Sequence, residues 1–354
     1  MVGPLSLMVP EGFEQVAYGH DAATGLRAIV AIHSTVLGPA LGGTRFWPFE
    51  TEEQALIDVC RLAKGMSYKH AAAGLAQGGG KAVILGDPAT MRTDALILAY
   101  GRFVDGLSGR YVTAEDVGTT QADMDLISTV TPHVRGTSER TGGSGDPSPA
   151  TALGVLSAMQ AVGERLWGRG DLEGRHVCIS GVGKVGSALA DHLHDEGCRL
   201  TIADVSPGAV AAVAGRTGAT VVAPDRAHTV DCDIFSPCAL GAILSAATIP
   251  ELKAAAVVGS ANNQLATEED AQRIHDAGVL YAPDYVVNAG GVINIAFEKG
   301  GYDRSSADER IRGIRDTVRR VLDLADGEGT TTAAAADLLA ERTIAAARER
   351  PPSS

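Results

Sequence analysis

The sequence predicts an α/β protein of two domains, and three observations carry that prediction. Strand-like apolar runs alternate with helix-like segments almost from end to end, the pattern of mostly parallel sheets. A stretch rich in glycine and proline, Thr141 to Pro149, interrupts this alternation near the middle. The 354 residues, 45% of them hydrophobic, also exceed what one ordinary core accommodates. The expected domains are residues 1–145 and 146–324, with a cleft between them. A C-terminal helix, about 325–354, is expected to be free to pack back on the first.

Within the first domain, Leu26 to Ile32 reads as a strand and Gly38 to Arg45 as a glycine-rich loop. A helix follows. Thr51 with Gln54 fits a capping box, Glu52 and Glu53 suit the positive helix end, and Leu56, Val59, Cys60, Ala63 and Met66 recur at helical spacing. This places Lys69 just beyond the helix. Gly78-Gly79-Gly80 then reads as a loop that delivers Lys81 to a short apolar strand, Ala82 to Leu85. A helix around Thr93 to Leu107 comes next, and Tyr111 to Gly118 is a short apolar run ending near a carboxylate, Asp116.

The second domain opens with a helix, Ala150 to Leu166, and a strand, His176 to Ser180. That strand runs into Gly181-Val182-Gly183-Lys184-Val185-Gly186, which starts an amphipathic helix marked by Val185, Leu189 and Leu193. Alone, such a glycine pattern says little. Here a second strand, Arg199 to Ala203, follows and ends at Asp204, near the distance expected of an acid that binds a ribose in a Rossmann dinucleotide fold. The glycines permit a tight turn and bring a pyrophosphate to the helix N-terminus, where free N–H groups favour anions. A carboxylate at Asp204 repels a 2′-phosphate, so NAD is expected over NADP. Three further strands, Cys232 to Phe235, Ala256 to Val258 and Val279 to Ala282, each end in polar residues. Asn262, Asn263 and Asn288 are therefore expected at the ligand-bearing ends of the sheet. The tail, Ala307 to Arg348, reads as helical and charged.

Composition excludes several functions. With 30 basic and 43 acidic residues the net charge is −13, which disfavours nucleic acid or an anionic membrane as a partner. No run of 18 apolar residues occurs and the start lacks a secretory pattern, so a cytoplasmic protein is expected. The five cysteines form no CxxC pair; they read as free thiols, and no metal is expected. Gly78 to Lys81 is not a triphosphate loop, because Leu75 stands where glycine is required and Ala82 where Ser or Thr is.

A nicotinamide dinucleotide implies hydride transfer, for which the protein supplies substrate binding and proton handling. Two lysines and an aspartate in the first domain suit an amino acid substrate. One cation would meet the carboxylate, one lysine would serve as base and the acid would serve the amino group.

Seven segments together resemble the glutamate/leucine/phenylalanine/valine dehydrogenases. They are Leu41 to Arg45, Met66 to Lys69, Gly78 to Lys81, Thr113 to Gly118, the dinucleotide motif, Pro237 to Gly241 and Tyr285 to Gly291, and the resemblance covers nearly the whole chain. It is strongest to the bacterial branched-chain members, valine before leucine. It implies that Lys69, with Asn262 and backbone near Gly42, binds the substrate carboxylate, and that Lys81 activates a water and Asp116 shuttles protons. It assigns the substrate side chain to Leu41, Ala114, Val292 and Ile295, and the cofactor to residues Ser180 to Gly186 (Ser180, Gly181, Val182, Gly183, Lys184, Val185 and Gly186), Asp204, Cys238, Ala239 and Asn288. It also implies a homo-oligomer and closure of the domains over the substrate.

Glutamate-specific members carry a lysine where this chain has Leu41, which points away from glutamate. Valine and leucine differ by one methylene, worth about 1–3 kcal/mol, so leucine and phenylalanine remain alternative substrates. A catalytically silent NAD-binding regulator is the alternative of another class; it would bind NAD without producing NADH. One departure concerns Gly145-Asp146-Pro147-Ser148-Pro149, where the family usually has Gly-Asp-Ser-Ser; the prolines would stiffen this connection.

Overall fold

The computed structural model describes residues 3–298 and 300–349. Two compact units make up the chain. The first comprises Met1–Asp146, Ile295–Asp303 and Ala340–Ser354, and the second Pro147–Asn294 and Arg304–Leu339.

The first unit is built on a mixed five-stranded sheet. Its strands are β1 (Gln15–Asp21), β2 (Leu26–Ser34), β3 (Ala40–Trp47), β4 (Gly78–Leu85) and β5 (Tyr111–Glu115), in the order β1-β2-β4-β3-β5. β1 and β4 run antiparallel to β2, whereas β3 is parallel to β4 and β5, so this sheet departs from the expected parallel pattern. Alternate residues of β2 and β4 face opposite sides. Ile29, Ala31, Val83 and Leu85 pack against Ala55, Leu56, Val59, Cys60 and Ala63 of the helix Glu52–Ala72. Val30, Ile32, Ala82 and Ile84 pack on Leu96, Ile97, Tyr100 and Val104 of the helix Asp94–Asp105. Thr51 caps the first helix by accepting from the Gln54 N–H at 3.1 Å, but the Gln54 amide turns to Glu50 instead of completing a capping box. That helix continues to Ala72, so Lys69 lies in its last turn and not beyond it.

Both glycine-rich segments expected as loops are strands. Gly42 and Gly43 belong to β3, and Gly78 to Gly80 open β4. Close packing of backbone explains the glycines. A Cβ on Gly79 would lie 2.5 Å from Ser67 Cα and nearer still to its nitrogen, one on Gly80 would meet the Tyr111 ring at 2.8 Å, and one on Gly42 would overlap the Gly80 carbonyl.

The second unit contains six parallel strands: β6 (His176–Ser180), β7 (Arg199–Ala203), β8 (Thr220–Val221), β9 (Ile234–Pro237), β10 (Ala256–Val257) and β11 (Leu280–Tyr281). Their order, β11-β10-β9-β6-β7-β8, reverses direction at β6, which creates the topological switch point where such sheets bind ligands. The opening helix, Ser148–Trp167, carries Pro149 in its first turn, where proline is tolerated because no intrahelical donor is needed. The tail divides into three helices, Arg304–Arg312, Ile314–Glu328 and Thr332–Arg348. Ala340 and Ile344 of the last belong to the first unit and pack on Ala71 beside Tyr68, whose hydroxyl donates to Glu341 at 2.8 Å. Residues 350–354 of the expected terminal helix lie outside the described residues.

Candidate active site

Lys81 sits in the middle of β4, paired with Ala31 of β2, on the face covered by the helix Glu52–Ala72. Its ammonium lies 2.6 Å from Oδ2 of Asp116, which follows the end of β5. Asp116 is held by a turn: its N–H donates to Thr119 Oγ1 at 3.0 Å, the Thr119 hydroxyl reaches the Thr44 carbonyl at 2.9 Å, and Gly118 adopts φ +82° against the Phe46 backbone. Gly118 is thus a position where a side chain would be strained as well as crowded. Burial raises the proton affinity of the Asp116 carboxyl, but Lys81 and then Arg45 outweigh it and leave the group below the ordinary carboxylate range. The site therefore holds an ion pair with 9% and 21% of the two side chains exposed.

Beside this pair, Leu41 of β3, Val112 and Ala114 of β5, and Ile295 form one buried apolar cluster. Three of the four expected side-chain contacts are thereby brought together, with Val112 as an addition. The fourth, Val292, is half-buried and belongs to the second unit. Gly42 is fixed from beneath by Tyr111, whose buried hydroxyl donates to the Gly42 carbonyl at 2.5 Å. Lys69 is half-buried in the last helical turn, next to His70. Burial drives the His70 imidazole down to about 4, so it is neutral at neutral pH and donates through Nδ1 to the Gly78 carbonyl at 2.7 Å.

In the second unit, Ser180 to Gly186, Asp204, Cys238 and Ala239 lie at the carboxyl ends of β6, β7 and β9, whereas Asn288 caps the short helix Asp284–Val287 that follows β11. Gly181 takes φ +102°, and its Cα lies so close to Ala239 that a Cβ would stand 2.6 Å from the alanine methyl. The Cys238 N–H donates to the Ser180 carbonyl at 2.8 Å. Gly186 lets the helix Lys184–Asp195 close on the turn, since a Cβ there would overlap the Gly181 carbonyl. Gly183 precedes this helix, exposed, with open space where a Cβ would be, leaving room for a phosphate at the helix N-terminus. Asp204 accepts from Val182 N–H at 2.7 Å and from Ser206 N–H at 2.8 Å, one on each oxygen. A carboxylate has about four acceptor sites, so both oxygens retain capacity for ribose hydroxyls. Asn288 donates to the Ser260 carbonyl at 3.1 Å and to Asn262 Oδ1 at 2.8 Å, while its own Oδ1 is buried without a partner and can accept from a ligand. These residues fit a dinucleotide.

Residues 11–133 match the Glu/Leu/Phe/Val dehydrogenase dimerisation domain, and residues 142–223 and 208–350 match the glutamate/leucine/phenylalanine/valine dehydrogenase family. The chain belongs to this family. It is an amino acid dehydrogenase, a class of nicotinamide-dependent oxidoreductases. It is 50% identical to leucine dehydrogenase of Geobacillus stearothermophilus, over 95% of this chain and 92% of that one. It is 48% identical to valine dehydrogenase of Streptomyces coelicolor, over 96% and 94%. Among solved structures, L-tryptophan dehydrogenase from Nostoc punctiforme superposes with a TM-score of 0.87 at 43% identity, covering 97% of this chain and 99% of that one.

Sequence reasoning assigned no role to several residues of this dehydrogenase's site. Arg45 lies in a family segment without an assigned function, and Asp58, Tyr111 and Thr119 carry no local signal. Val112 alone was open to detection, as an apolar neighbour of Ala114 on a short strand. No group of three or more potential metal ligands occurs among the described residues, and no described helix is long and apolar enough to cross a membrane.

Proposed function

We propose that this dehydrogenase oxidatively deaminates branched-chain L-amino acids, L-valine first among them, giving the 2-oxo acid, ammonium and NADH, reversibly. The ion pair between Lys81 and Asp116 beside the apolar cluster of Leu41, Val112, Ala114 and Ile295 carries this reading. A buried cation and carboxylate serve the reacting nitrogen and a water, while the cluster suits an aliphatic side chain and offers glutamate's distal carboxylate no partner. NAD, held by the turn from Gly181 to Gly186 and by Asp204, would supply the hydride acceptor for the reaction. Asp116 takes the proton that the substrate ammonium releases. Lys81, having lost its own proton to solvent, draws one from the water that attacks the iminium carbon; Asp116 then returns its proton to the nitrogen, the C–N bond breaks to release ammonia, and the hydroxyl proton passes to solvent as the carbonyl forms. Lys69, with the backbone near Gly42, receives the substrate carboxylate.

The single carboxylate at the end of β7, Asp204, supports NAD over NADP. The match to a dimerisation domain supports a homo-oligomer, and the likeness to a hetero-hexameric glutamate dehydrogenase from Thermus thermophilus supports assembly into an oligomer more generally. A cytoplasmic site of action is part of the same reading. An amino acid panel compared by kcat/KM tests the proposal, with NADH formation as the readout. Valine and leucine should exceed glutamate and the aromatic amino acids. The likeness to L-tryptophan dehydrogenase makes aromatic substrates the second reading, and a best rate on tryptophan or phenylalanine would replace the first.

A further inference from the structure

We propose that Arg45 is a positioning residue for the reaction, anchored on Asp58 so that it holds the Asp116 carboxylate against Lys81. The inference rests on the roles given above to Lys81 and Asp116. Arg45 Nη1 donates to Asp58 Oδ2 of the helix Glu52–Ala72 at 2.8 Å. Its Nε lies 3.4 Å from Asp116 Oδ2, the same oxygen that Lys81 reaches at 2.6 Å. Asp58 is itself steadied through its other oxygen by Arg61, at 3.0 Å. The guanidinium is planar and its nitrogens are fixed relative to one another, so anchoring Nη1 on the helix fixes the cation beside Asp116, where Nε makes a charge contact and no hydrogen bond. Rotation of the carboxylate away from Lys81 would also separate it from Arg45.

The arrangement has an electrostatic side. Lys81 from β4 and Arg45 from β3 face Asp116, while Asp58 and Arg61 of the helix stand behind Arg45. Arg45 is thus a second cation that favours the ionised form of the carboxylate, the form that accepts a proton from the substrate ammonium.

The test uses the full-length enzyme, NAD+ and the preferred amino acid from the panel. Arg45→Gln should lower kcat by roughly 10- to 100-fold with KM changed little, as expected when a reacting group is misplaced by about 1 Å. It should also move the acid limb of the kcat profile to higher pH, because Asp116 then protonates more readily. Arg45→Lys keeps the charge and should keep the acid limb while losing part of kcat. An acid limb for Arg45→Gln that coincides with the wild type overturns the inference whatever happens to kcat, since a purely structural clamp would reduce activity without moving it. Should Arg45→Gln fail to fold, Asp58→Asn takes its place. That variant removes the anchor but not the cation, and an unchanged kcat overturns the inference. Wild-type protein that produces NADH from no amino acid would instead remove the underlying functional reading.

Discussion

Replacing Gly79 by alanine should destabilise the first unit by about 3 kcal/mol, the upper end of the usual cost of overpacking. The added methyl would sit 2.5 Å from Ser67 Cα, about 1 Å inside ordinary carbon–carbon contact, and closer still to the Ser67 nitrogen and hydroxyl. The obstacle is the backbone of a 21-residue helix, so no side-chain rotation relieves it. Gly65 provides the contrast within that helix. It is exposed, a Cβ there would touch nothing within 4 Å, and alanine should stabilise by about 1 kcal/mol through helix propensity alone. For a unit of this size the two changes correspond to roughly 6–12 °C downward and 2–4 °C upward in melting temperature. Differential scanning calorimetry checks both. If Gly79→Ala melted with the wild type and instead raised KM for the amino acid, the glycine would serve ligand approach and the packing account would be refuted.

Three further outcomes follow from the same geometry. Asp116→Asn should reduce kcat by about 10²–10⁴-fold, the range for loss of a general acid–base, and steady-state kinetics should show a smaller change in KM. Glu164 is pulled down to about 2 by Arg319 and Arg315, so its contribution to stability is present above its unfolded value of 4.5 and is lost as pH falls toward 2. Urea midpoints of Glu164→Gln should therefore lie below the wild type at neutral pH and converge with it near the low end of that window. Asp204→Ala removes the acceptor for Val182 and Ser206 N–H groups, each hydrogen bond to a charged group being worth about 1.5–3 kcal/mol. Calorimetric titration should find NAD+ binding about tenfold weaker or more, with less discrimination against NADP+.

The parts of the fold that sequence revealed are those with local causes. β6 and β7 coincide with short apolar runs, and the turn between β6 and its helix follows from the spacing of three glycines within seven positions, although Asp204 and Ala239, which also shape it, lie far along the chain. β3 escaped detection since its centre is Gly42-Gly43, and glycine in a strand marks what the neighbouring backbone does, which no periodicity reports. β1 escaped because it is half-buried along most of its length, with no apolar face of its own. At the site, the individual candidates Lys81 and Asp116 were legible from context, but their contact depends on β5 lying beside β3 and β3 beside β4. Arg45 and Asp58 belong to the same class: an ion pair between a strand and a helix has no signature along the chain. Ile295 joins Leu41 across the sequence, and only the family resemblance, not the pattern of residues, anticipated that.

The first unit is not a continuous stretch of chain. Ile295 supplies a wall of the apolar cluster, Glu298 accepts from the backbone of Gly136 at 2.9 Å and of Ser144 at 2.8 Å, and Ala340 and Ile344 cover Ala71. A fragment ending at Asp146 would therefore lack a wall of its candidate substrate pocket and the carboxylate that ties down its last loop. Exchange of residues 147–294 with a homologue, by contrast, would transplant the dinucleotide turn and Val292 while leaving Ile295 with its original partners. Such an exchange would carry the dinucleotide turn but only one of the four positions assigned to the substrate side chain, Val292, and it requires two internal joints; a single cut in the chain cannot achieve it.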